Sequence, residues 1–68
     1  MKIRLNGKLI EAPDDITVSN LLTSLGIAEE RVAVEVNLNI IKKKFYETHV
    51  LHEADEVEVV NFVGGGSV

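Results

Sequence analysis

Only one stretch of this chain has the apolar spacing of a helix, and it is short. Val18, Leu21, Leu22 and Leu25 recur every three or four residues and form one apolar face. Thr17 precedes them as an N-cap, its hydroxyl placed to accept an orphan backbone N–H. Gly26 follows, suited to end the helix in a left-handed conformation. A helix of about two turns does not persist alone in water. It must lay its apolar face on something else, and the rest of the sequence reads as strands.

The first strands are marked by a turn. Ile3 and Leu5 alternate with Lys2 and Arg4, and Lys8 to Glu11 resumes an extended pattern. Between them lies Asn6-Gly7, a strong hairpin signal because both residues tolerate positive φ. Pro13, Asp14 and Asp15 form the next turn. After the helix, Val32, Val34 and Val36 share one face of a strand. Asn37 to Asn39 reads as a turn, and Ile40-Ile41 as a short return strand. Phe45-Tyr46 fits a single helical turn with large apolar anchors. His49 to Leu51 reads as a further short strand, and Glu53 to Glu56 as an acidic turn. Val57 to Val63 is the last strand.

The order is strand, strand, helix, strand, short strand, strand. That order predicts an α+β fold with the β-grasp, or ubiquitin-like, arrangement: a mixed sheet of roughly four to five strands with one main helix packed on one face. A ferredoxin-like fold needs a second helix, which the sequence lacks. The expected core is Ile3, Leu5, Leu21, Leu22, Leu25, Val34, Val57 and Val59. Residues 1–63 form the expected domain and 64–68 a flexible glycine-rich tail.

Composition limits the function. A chain of 68 residues has little volume for an internal active site. It has no cysteine, so disulfides, thiolate nucleophiles and cysteine-ligated metals are excluded. The formal net charge of −4 argues against a nucleic-acid partner, which needs a cationic surface. Lys42, Lys43 and Lys44 are one local basic run, read as a solvated loop or strand edge. No apolar stretch approaches the ~20 residues of a membrane span, and the cytoplasm is the expected location. His49 and His52 are spaced three apart but lack a recognisable zinc-ligand pattern, so surface histidines are expected. Asp14-Asp15 and the Glu53 to Glu58 cluster read as solvated charge; the cluster could steer a basic partner.

The chain closes with Gly64-Gly65-Gly66-Ser67-Val68, directly after Val59-Val60-Asn61-Phe62-Val63. Three glycines maximise backbone freedom. One reading is a floppy terminus or a cloning remnant. The other is a thin probe on a rigid strand, able to thread a channel that any Cβ would block. Val60 and Phe62 share the face opposite Val57 and Val59. With Val63 they fit a partner-docking patch beside the tail. Equally, a curled sheet would let Phe62 close the end of the core.

Leu5-Asn6-Gly7-Lys8, Val32-Ala33-Val34-Glu35-Val36-Asn37, Asp55-Glu56-Val57-Glu58-Val59-Val60 and Phe62-Val63-Gly64-Gly65-Gly66 occur in this order over the whole chain. Together they resemble the ThiS family of thiamin-pathway sulfur carriers, relatives of MoaD and ubiquitin. The resemblance implies a carrier that is not itself an enzyme and binds no cofactor. A ThiF-type adenylating enzyme supplies ATP and Mg²⁺ and activates the terminal glycine. A persulfide donor then converts that glycine to a thiocarboxylate, and thiazole synthase, ThiG, takes the sulfur. By this resemblance Gly66 is the activated residue, with Gly64 and Gly65 threading the channel. Family members generally end at the di-glycine. Here Ser67 and Val68 follow, so a protease must first free Gly66. The family often has glycine where this chain has Leu38 and Ala54, which predicts altered loop conformations there. Two other functions stay open: a MoaD-like carrier for molybdopterin, and a ubiquitin-like adaptor that forms no thiocarboxylate. RNA binding is disfavoured by the charge.

Overall fold

The computed structural model describes residues 1–61. Five strands form one sheet: β1 (Lys2–Leu5), β2 (Lys8–Glu11), β3 (Val32–Val36), β4 (Asn39–Ile41) and β5 (Glu56–Asn61). Their spatial order is β2-β1-β5-β3-β4. β1 and β5 run parallel at the centre, and the other neighbours are antiparallel. One α-helix, α1 (Val18–Ser24), supplies Val18, Leu21 and Leu22 to the core. The mixed sheet with its single helix is the arrangement expected from the sequence.

Local chemistry explains the elements. Thr17 caps α1 by accepting a hydrogen bond from the Asn20 amide at 3.1 Å. Gly26 ends it at φ 72°. Asn6 and Gly7, at φ 50° and 83°, close the β1–β2 hairpin as a two-residue turn with Leu5 opposite Lys8. Asn37 and Leu38 close β3–β4 in the same way, at φ 52° and 72°.

That second turn corrects one expectation. Leu38 and Ala54 do not divert their loops; both adopt the left-handed backbone that glycine takes most easily, Ala54 at φ 71°. A side chain in that region costs roughly 1–2 kcal/mol. Leu38 recovers nothing by burial, since it is 86% exposed. Leu38→Gly is therefore expected to raise stability, by about 0.5–1 kcal/mol once the greater freedom of glycine in the unfolded chain is subtracted. A urea titration checks this: the midpoint rises if the strain is real and falls if it is not.

The core forms on one face of the sheet. Ile3, Leu21, Leu22, Val34 and Val57 are buried as expected, while Leu5 and Val59 are partly buried against them. Leu25 is not a core residue. The helix stops at Ser24, Leu25 is its C-cap, and its side chain is 41% exposed. Tyr46 and Leu51 take large buried places instead. Tyr46 sits just after a 3₁₀ turn at Lys43–Phe45. Its hydroxyl donates to the Val32 carbonyl at 3.5 Å, and burial pushes the phenol above its ordinary pKa range. Its neighbour Phe45 stays 48% exposed, so only one of the two aromatics is an anchor. His49 to Leu51 forms no strand of its own; it contributes one bridge, Val50 to Thr17. A second 3₁₀ turn, Glu29–Arg31, leads into β3. No helix among the described residues is long and apolar enough to cross a membrane.

Candidate functional site at the end of the fifth strand

β5 is the element that carries the chain towards its glycine run. It lies between β1 and β3, and it is held from both sides. Five residue pairs join it to β3, from Val36 opposite Val57 to Val32 opposite Asn61. On the other side the backbone pairing with β1 is short, Arg4 with Glu56 and Leu5 with Val57. Asn6 extends it: its side-chain oxygen accepts from the Val59 amide at 2.7 Å, and its side-chain nitrogen donates to the Val59 carbonyl at 3.3 Å. Asn37 clamps the start of the same strand, accepting from the Glu56 amide at 2.9 Å while donating to Asp55 at 2.9 Å. Both asparagines thus hold a left-handed turn and a neighbouring strand at once.

This double duty is not visible in a sequence, where each residue signals only its own turn. Asn6→Ala is expected to remove two hydrogen bonds and force a Cβ-bearing, non-bonding side chain into the left-handed region. The cost should be about 2 kcal/mol. Asn6→Gly relieves the backbone but not the lost bonds and should cost less. A thermal melt of both variants checks the order; equal stability of Asn6→Ala and the parent would refute the clamp.

Alternation along β5 divides its side chains as expected. Val57 is buried and Val59 half-buried, whereas Glu58 is exposed and Val60 is 53% exposed. Across the sheet, Val60 stands opposite Ala33, and Glu58 opposite Glu35, which in turn pairs with Ile40 of β4. Ala33 and Ile40 are also exposed. Val60 therefore sits on an outward face with apolar neighbours, where a docking role was expected. Phe62, Val63, Gly64, Gly65 and Gly66 lie outside the described residues.

The other candidate residues serve the fold or face solvent. Asp55 accepts from the His52 amide at 2.8 Å and from Asn37. Glu53 accepts from the Lys2 amide at 3.1 Å. Asp14 and Asp15 are exposed in their turn. Met1, Asp14, Asp15, Leu51, His52 and Glu53 line an open surface depression. Among the described residues, no three His, Cys, Asp or Glu side chains are grouped to hold a metal ion.

Comparison with known proteins adds what the described residues do not reach. The model of the ThiS family matches residues 3–66, so the match runs from β1 through all three glycines and stops at Gly66. The sulfur carrier protein ThiS of Bacillus subtilis is 40% identical over 65 residues, covering 94% of this chain and 98% of that protein. A thiazole synthase of Magnetococcus marinus is 47% identical over 66 residues, which is 97% of this chain but 20% of that protein. A second, from Paramagnetospirillum magneticum, is 40% identical over 67 residues. The chain spans about a fifth of the length of these thiazole synthases. The crystal structure of the thiamine biosynthesis protein ThiS from Geobacter metallireducens superposes with a TM-score of 0.81 at 30% identity, covering 97% of this chain and all of that one. Sequence, strand order and glycine run agree, and the chain belongs to the ThiS family.

Proposed function

We propose that this protein is a sulfur carrier for the thiazole part of thiamin, with Gly66 as its reacting residue. The observation that carries the reading is a family match unbroken from the sheet through Gly64, Gly65 and Gly66. The likeness to two thiazole synthases favours the thiamin branch over a molybdopterin one.

Residues 1–63 are the body and 64–68 the tail. β5, fixed by Asn6 and Asn37, gives the tail a rigid root. Val60, Phe62 and Val63 dock the body on the activating enzyme, while Gly64 and Gly65 thread its channel. The Gly66 carboxylate, once freed from Ser67, attacks the α-phosphorus of ATP on a ThiF-type enzyme, and pyrophosphate leaves. Mg²⁺ belongs to that enzyme; the carrier has no phosphate-cradling motif. The terminal sulfur of a persulfide then attacks the acyl carbon and AMP leaves. A thiol cleaves the resulting S–S bond and leaves the thiocarboxylate, which a thiazole synthase of the ThiG type consumes. The carrier is a co-substrate in these steps, not a catalyst, and the cytoplasm is the compartment proposed for them.

Ser67 and Val68 favour a second reading, an adaptor that docks by its sheet and is never activated. A genetic test separates the readings. A strain without its own carrier, supplied with this gene cut after Gly66 and the matching activating enzyme, should grow without added thiazole. A molybdopterin-carrier mutant should not be rescued. Rescue of the second strain alone would move the protein to the other pathway, and rescue of neither would favour the adaptor.

A further inference from the structure

The lysine turn lies beside the root of the tail. Lys43 donates from its ammonium to the Val32 carbonyl at 3.2 Å, and Val32 is the residue opposite Asn61, where the description of β5 ends. The same carbonyl receives the Tyr46 hydroxyl, so the 3₁₀ turn is pinned to β3 by a buried anchor. Lys42 and Lys44 are exposed, and among the described residues neither pairs with a carboxylate. Lys44 instead lies 5.2 Å from the centre of the exposed Phe45 ring.

The charge is unevenly spread. Residues 29–31 and 42–47 hold four cations and three carboxylates, and the rest of the chain holds three cations and eight carboxylates. The segments that flank Val32, opposite Asn61, are therefore the cation-rich part of an acidic protein, and Lys8 lies at the same end of the sheet, where Asn6 reaches Val59. One of those three carboxylates, Glu29, is already engaged by the Ser19 hydroxyl.

We propose that Lys42 and Lys44 dock on a carboxylate-bearing rim around the tail channel of the activating enzyme. This rests on the carrier reading. A cationic corner meeting an acidic rim orients the body so that the tail faces the channel, and it speeds encounter more than it tightens the final complex. The acidic far side is then repelled from the same rim, which disfavours reversed docking.

The test uses the chain ending at Gly66, with ATP, Mg²⁺, its activating enzyme and a persulfide donor. Lys42→Glu/Lys44→Glu should lower kcat/KM about tenfold or more at low salt, mainly through KM. Added salt should erase the difference from the parent, because exposed charges are screened. Lys2→Glu/Leu38→Glu/Asn39→Glu makes the same change in net charge at the opposite end of the sheet, where β5 begins, and should have little effect. Equal losses in both variants, or a loss in the first that salt does not reduce, would overturn the docking proposal while leaving the carrier reading intact. A parent protein that is not converted at all would overturn both. Unchanged thermal melts show that each variant folds.

Discussion

Leu22→Ala is expected to leave this domain barely folded at growth temperature. Leu22 is fully buried on the inner face of α1, beside Leu21 and Val18 and against the strand valines. Removing a buried leucine costs roughly 2–5 kcal/mol, in lost transfer energy plus the cavity left behind. A domain this small has a total stability at the low end of the usual range, about 5 kcal/mol. The melting temperature should therefore fall by about 10 °C or more, since each kcal/mol moves a domain of this size by several degrees. Leu25→Ala is the internal control. It is the same substitution on the same apolar stripe, beyond the helix end and solvent-exposed, and should move the melt little. Similar losses in the two variants would mean that the helix boundary and the core are wrongly placed.

The second large effect concerns chemistry without stability. Gly65→Ala, in the chain ending at Gly66, should slow thiocarboxylate formation by about a hundredfold or more, because a methyl group in a channel fitted to glycine displaces the reacting carboxyl by an ångström or so. With residues 1–63 as the proposed body, the melt should match the parent. A rate near that of the parent would show that the channel does not require glycine at this position. A lowered melting temperature would show that the tail packs on the body.

Much of the fold was legible because its signals are local. Asn6-Gly7, the Thr17 cap, Gly26 and the alternating valines of β3 each act within a few residues, and each is where the sequence put it. What was not legible depends on partners distant in sequence. The stripe includes Leu25, one residue past the last helical residue, Ser24, so periodicity overstates the buried face. Tyr46 lies in a turn with no period, and only the position of the Val32 carbonyl reveals it as an anchor. Leu38 and Ala54 hold positive φ without glycine, because hairpin closure and the surrounding hydrogen bonds impose it; the Ala54 amide, for instance, donates to the Lys2 carbonyl at 2.7 Å. At the candidate site, alternation placed Val60 outward correctly, but the clamps of Asn6 and Asn37 on β5 required the sheet order. The glycine run stands out by composition, and the family match extends over it, but Gly64, Gly65 and Gly66 lie outside the described residues.

The most direct test is the intact mass of two forms after incubation with ATP, Mg²⁺, the activating enzyme and a persulfide source. The form ending at Gly66 should gain the difference between one sulfur and one oxygen atom, and the form retaining Ser67-Val68 should keep its mass, because its Gly66 has no free carboxylate to adenylate. Gain on the longer form instead would keep the carrier and move the reacting residue to its own terminus. An unchanged mass for the Gly66 form would contradict the carrier account altogether.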